Sequence, residues 1–162
     1  MSKIILGIDP GIADTGYGLI EKGAGGKISC LAYGSIKTKA GLPMAERLEI
    51  LHDELEKIIQ KYQPALASVE ELFFQNNAKT AIIVGQARGV ILLTCRKNKI
   101  PIVELTPLQV KQTIAGFGRA DKLQVQKMVK LLLNLKEIPK PDDAADALAI
   151  AISSVNELKL VR

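Results

Sequence analysis

The chain has 162 residues, 48% of them hydrophobic and 24% charged, with a formal charge of +5. That length is enough for one domain with a substantial core, and that balance excludes a disordered or membrane-embedded chain. The two cysteines, Cys30 and Cys95, have no second Cys or His at metal spacing, which excludes a thiolate zinc site; both read as buried free thiols.

Met1-Ser2-Lys3-Ile4-Ile5 leads straight into an apolar run without a signal-peptide pattern. No apolar stretch approaches the roughly 18 residues of a membrane span, so the expected compartment is the cytoplasm. Residues 3–9 read as a buried strand, and 16–22 and 28–36 as two more, joined through Gly23-Ala24-Gly25-Gly26 as an antiparallel hairpin. After Pro43, a stripe of Met44, Leu48, Leu51, Leu55, Ile58, Ile59 and Tyr62 predicts a helix that Pro64 stops. Arg47 falls on its polar side, as does the lone histidine, His52, which reads as a solvated surface residue. Residues 65–70 form a fourth strand, 78–98 a second long helix and 101–105 a fifth strand. Helices follow near 107–115 and 122–134, separated by Gly116-Phe117-Gly118-Arg119, and the last helix starts near Pro141 and runs to about Leu158. This order predicts an α/β domain over 1–162, with a five-stranded mixed sheet flanked by α-helices.

Four acids stand in telling places. Asp9 closes the first strand and Glu70 the fourth, each after a run that is apolar on both faces. An acid left unpaired in a dry site costs several kcal/mol, roughly, so such positions are rarely idle. Asp143 and Asp146 are three apart on the last helix and share one face of it. Their place near the helix start also suits the macrodipole, and Asp142 suits a simple cap. Together the four predict an all-oxygen site for a hard divalent ion, Mg²⁺ or Mn²⁺ rather than zinc. A site of two such ions activates water and stabilises both oxygens of an in-line displacement at phosphorus.

Charge is unevenly distributed. From Leu72 to Lys136 there are eleven Lys and Arg residues against two acids, Glu104 and Asp121. Such a segment predicts a basic surface for an anionic polymer beside the acidic pocket. Lys111, Arg119 and Lys122 flank the glycine-rich turn, where cations and exposed amides suit phosphates. Arg88, Arg96, Lys97 and Lys99 extend the set along the second long helix as backbone contacts. Phe73 and Phe74, beside the polar Gln75-Asn76-Asn77, suit stacking on or wedging between bases, or burial as anchors. Ala81, Gly85 and Gly89 leave one face of that helix without bulk, a surface for the sheet or for a second copy.

Several strings in this order resemble the RuvC crossover junction endodeoxyribonucleases, the resolvases of four-way (Holliday) junctions. They are Ile5-Leu6-Gly7-Ile8-Asp9-Pro10-Gly11, Thr15-Gly16-Tyr17-Gly18, Val69-Glu70-Glu71-Leu72-Phe73, Gly85-Gln86-Ala87-Arg88-Gly89, Val110-Lys111-Gln112-Thr113 and Asp143-Ala144-Ala145-Asp146-Ala147-Leu148-Ala149. The resemblance implies an RNase H-like nuclease domain over 1–162, with Asp9, Glu70, Asp143 and Asp146 as catalytic metal ligands for Mg²⁺, Mn²⁺ being a plausible substitute. It implies that Glu70 rather than Glu71 is the catalytic glutamate, that Lys111 and Lys122 lie near the scissile strand, and that Phe73 works at the junction centre. It further implies a homodimer making paired symmetric nicks in recombination and repair, alongside a branch-migration motor. One departure from the family's pattern is that the chain ends soon after its last helix.

Three rivals remain from residues alone. Gly7-Ile8-Asp9-Pro10-Gly11 looks like the first phosphate loop of actin-fold phosphotransferases, which need a second related domain that this length does not hold. Another RNase H-like nuclease shares the metal chemistry. A non-catalytic junction-binding protein has no use for the complete carboxylate set.

Overall fold

The computed structural model describes residues 2–71 and 78–159. In chain order the elements are β1 (Lys3–Asp9), β2 (Asp14–Lys22), β3 (Ile28–Lys37), α1 (Met44–Tyr62), β4 (Leu66–Glu70), α2 (Ala78–Lys97), β5 (Ile102–Leu105), α3 (Pro107–Ala115), α4 (Lys122–Leu132) and α5 (Asp142–Ser153). The strands form one sheet in the order β3-β2-β1-β4-β5. β1, β2 and β3 are antiparallel, whereas β4 and β5 run parallel to β1. The hairpin between β2 and β3 turns through Gly25 and Gly26 at φ 79 and 83, a left-handed region that a side chain resists. This is the mixed five-stranded sheet that the sequence predicts.

Alternation along the strands sorts the core into two layers. Leu6, Ile8, Leu19 and Val69 face α1 and α2, meeting Leu51, Leu55, Ile59, Ile91 and Cys95. Ile5, Ile20 and Leu66 face the other way, into a cluster completed by Val110 and Ile114 of α3, Val125 and Val129 of α4 and Leu148 and Ile152 of α5. Because side chains alternate, Asp9 and Glu70 share this second face, two and four residues on from Gly7 and Leu66.

Four expectations change. The last helix ends at Ser153, followed by a turn and a single 3-10 turn over Glu157–Lys159. There the hydroxyls of Ser153 and Ser154 donate to the carbonyls of Ala149 (2.8 Å) and Ala151 (3.0 Å), competition of the kind that ends helices. Arg47 is buried, not solvated: its Nε donates to the Thr38 hydroxyl at 2.9 Å, which in turn donates to the Ile12 carbonyl. It thereby braces the loop that follows Asp9. His52 is half-buried between α1 and α2, with Nδ1 2.7 Å from the Thr94 hydroxyl. That hydroxyl donates to the Val90 carbonyl, which leaves the imidazole Nδ1–H as donor. Cys95 is fully buried but Cys30 only partly so, and both are free.

Candidate active site

The site begins with two strand ends side by side. β1 and β4 pair from Ile5 with Leu66 to Ile8 with Val69, so Asp9 and Glu70 each follow the last pair. Both point to the α3–α4–α5 face by alternation. Across β2, Asp9 pairs with Gly16 and Gly7 with Gly18. Over this patch lies α5, whose Ala144, Ala145, Ala147 and Ala149 are buried.

Small residues on both sides allow unusually close contact. A Cβ added to Gly16 stands 2.0 Å from the Asp143 carbonyl oxygen, and one added to Gly7 stands 2.1 Å from that of Ala147. Contacts that short are impossible, so glycine at these positions is what lets the α5 backbone rest on the strands. The helix is thereby seated with its first turns above the end of β1. As a result, one carboxylate oxygen each from Asp9, Asp143 and Asp146 lies within 4.8 Å of the others. Glu70 stands outside this tight set but is the strongest charge acting on Asp9.

Electrostatics register the crowding. Burial first, then the charges of Glu70, Asp146 and Asp143, push Asp9 up to about 8. Burial and the charge of Asp146 raise Glu70 to about 7, against the pull of Lys111. Asp146 is also raised, chiefly by burial, even though Lys122 Nζ lies 3.0 Å away. The same lysine is 3.5 Å from Asp142. Burial works against its charge, yet the hydrogen bonds and charges of Asp146 and Asp142 leave Lys122 above its usual value. One ammonium cannot neutralise such a group of acids. The donor set, all oxygen and short of positive charge, fits a hard divalent cation.

Beside the acids opens a cleft of about 250 Å³, lined by Glu70, Pro107, Val110, Lys111, Lys122, Val125, Asp146 and Ala149. Its outer wall is α3, the turn and α4. Thr106 and Gln109 form a reciprocal capping box at the start of α3, and Asp121 and Gln124 another at the start of α4. Gly116 closes α3 in the left-handed conformation at φ 82. The turn is thus fixed at both ends, with Arg119 exposed on it and Lys111 and Lys122 facing the acids.

The structure therefore brings together Asp9, Asp143 and Asp146, with Glu70, Lys111 and Lys122 around the adjoining cleft. Arg88, expected among the DNA contacts, has its guanidinium engaged within the protein by Glu104 and by the Glu70 carbonyl. Phe73 and Phe74 lie outside the described residues. Sequence reasoning did not single out the seating role of Gly7 and Gly16 or the paired caps. Thr106-x-x-Gln109 and Asp121-x-x-Gln124 were the available signals for the caps.

Comparison with known proteins bears on the same residues. The family model described as "Crossover junction endodeoxyribonuclease RuvC" matches residues 5–154. A protein of that name from Caldicellulosiruptor saccharolyticus is 58% identical over 151 residues, 93% of this chain and 91% of its own. One from Halothermothrix orenii is 58% identical over 159 residues, 98% of this chain and 96% of its own. Among solved structures, Thermus thermophilus RuvC in complex with Holliday junction substrate superposes with a TM-score of 0.90 at 36% identity, covering 98% of this chain and 96% of that one.

Proposed function

Since the chain belongs to the RuvC family of crossover junction endodeoxyribonucleases, we propose that it resolves four-way DNA junctions by paired, metal-dependent nicks. The carrying observation is that three carboxylates, from the first strand and the last helix, converge beside a cleft edged by two lysines. Asp9, Asp143 and Asp146, completed by Glu70, are the residues that hold the divalent ions, Mg²⁺ in the cell with Mn²⁺ as a substitute. Bound there, such ions supply an activated water and neutralise charge on the attacking and leaving oxygens at phosphorus.

The chain's own groups do the rest. Burial and mutual repulsion leave Asp9 and Glu70 poorly compensated, which favours uptake of a cation by this site over a solvated surface acid. Lys111 and Lys122 bind the phosphates flanking the scissile bond, with Lys122 exchanging its contact to Asp146 for the incoming strand. Arg119 adds a backbone contact from the capped turn. Phe73 and Phe74 follow Glu70 closely in sequence and are assigned to the unstacked bases of the junction centre. A junction offers two equivalent strands, which calls for two sites and hence a homodimer. The family likeness favours work alongside a branch-migration motor in the cytoplasm; no helix among the described residues is long and apolar enough to cross a membrane.

The test uses a synthetic four-way junction, a linear duplex and an RNA–DNA hybrid, each with Mg²⁺ or EDTA. Paired nicking confined to the junction and abolished by EDTA is the expected result. Equal cutting of the hybrid assigns the site to a different nuclease, and binding without cutting assigns a purely architectural role.

A further inference from the structure

Arg88 lies on α2 within the basic segment, yet its side chain is only 17% exposed. Its Nε donates to the backbone carbonyl of Glu70 at 3.2 Å, and its Nη2 forms an ion pair with Glu104 on β5. Glu104 stands opposite Val69 in the parallel register, and Leu105 opposite Glu70. One guanidinium therefore ties the final residue of β4 to the neighbouring strand. The next amide, Glu71 N–H, donates to the Leu105 carbonyl at 2.8 Å. Beyond Ile8 and Val69 the pairing with β1 has ended. The Glu70–Glu71 peptide group is thus held by two bonds, one to its N–H from β5 and one to its C=O from Arg88.

We propose that Arg88 is a positioning residue for Glu70, fixing the plane of the peptide that follows it so that the carboxylate is aimed at the acidic cluster, with Glu104 as the anchor that holds the guanidinium in place. This rests on the reading of Glu70 as part of the nuclease site. A site carboxylate must be held within about 0.5 Å and 10–20° of its working geometry. A strand end lacking one neighbour does not provide that by itself. Arginine does so here because its planar fork offers two donors at a fixed angle, one for each partner. Lysine's ammonium also has several donors, but they radiate from one point on a flexible stem and do not hold two partners at a fixed angle. This engagement within the protein also sets Arg88 apart from Arg119, which is exposed on its turn.

The test compares full-length Arg88→Lys, Arg88→Gln, Glu104→Gln and Glu70→Gln proteins with the parent. Each is measured for thermal melting, junction affinity over a salt series in EDTA, calorimetric Mn²⁺ binding without DNA, and single-turnover cleavage at saturating junction. For Arg88→Lys we expect junction affinity and salt slope as in the parent, Mn²⁺ binding weakened about tenfold, and cleavage of bound junction slowed about 10–100-fold, the usual cost of losing a partner that orients a metal ligand. Glu104→Gln keeps the donor to Glu70 but loosens its anchor, and gives a smaller loss in the same two measurements. Should Arg88→Lys melt before the assay, Glu104→Gln decides. The proposal is overturned if Arg88→Lys lowers junction affinity while bound junction is cut at the parental rate and the charge-removing Arg88→Gln reduces the salt slope by about one, because that is the signature of a phosphate contact. Parental behaviour of Arg88→Lys and Glu104→Gln overturns it equally. Cleavage by Glu70→Gln at the parental rate overturns instead the underlying reading of Glu70, a result separable from the others.

Discussion

The two faces of the sheet are built on opposite principles. Against α1 and α2 the strands present Leu6, Ile8, Leu19 and Val69, and large aliphatic side chains fill the space between. Against α5 they present Gly7, Gly16 and Gly18, and the backbones themselves nearly touch. The first arrangement is tolerant of repacking, whereas the glycine patch under α5, within an otherwise aliphatic face, has few side chains and one solution. Both faces bury an aliphatic core, but only the second also places the acids.

That contrast can be broken most decisively at the acids. Asp146→Asn should cut junctions at least about a hundredfold more slowly while binding them as before, since it alters charge at the cluster without changing its shape; a gel-shift and cleavage assay on the same preparation checks both. Next comes Gly16→Ala, whose methyl meets the Asp143 carbonyl at 2.0 Å. It should cost about 1–3 kcal/mol of stability and more than tenfold in cleavage per folded molecule, as α5 lifts from β1 and β2. Leu55→Ala on the opposite face should cost about 2–5 kcal/mol but leave the rate per folded molecule within about twofold. If the two variants lost activity in proportion to stability alone, the division between the faces would be wrong.

A gentler probe is pH. Asp9 is raised to about 8 and Glu70 to about 7, well above the values an unfolded chain gives them. Between roughly pH 5 and 8 the unfolded chain has already released protons that the folded chain retains, so stability falls as pH rises through that window. Calorimetry in EDTA should show the melting temperature declining from pH 5 to 8, Asp9→Asn flattening the slope, and added Mn²⁺ reversing it. The smallest effect is assigned to Phe73→Ala: cleavage reduced about tenfold with Mn²⁺ binding unchanged, the cost of one lost stacking contact.

Much of this was legible in the sequence, for reasons that differ by residue. Apolar runs ending in Asp9 and Glu70 mark buried strands closing on a charge, and Asp143 and Asp146 at helical spacing mark a shared face. Strand pattern alone reveals each acid but not their meeting. That depends on β4 entering beside β1 and on α5 seating over Gly7 and Gly16, long-range contacts with no local signal. Nor does spacing separate Glu70 from the tight set of three. Arg47, His52 and Arg88 were misread or incompletely read for one shared reason: each satisfies its polar group against an element distant in sequence. A helical wheel sees a polar residue and assigns it to solvent. The helix end at Ser153 was misjudged because Ser153 and Ser154 looked neutral in an apolar run until their hydroxyls found the preceding turn.

The acids come from opposite ends of the described chain, Asp9 in the first strand and Asp143 and Asp146 in the last α-helix. At about 5–20 residues per second of translation, on the order of ten seconds separates their emergence from the ribosome. During that interval the nascent chain carries Asp9, and later Glu70, without Asp143 and Asp146, and cannot assemble the cluster. A product ending before α5 lacks Asp143 and Asp146 and so has no cluster of three carboxylates. On the proposed reading of the site, cutting DNA therefore requires synthesis at least through Asp146.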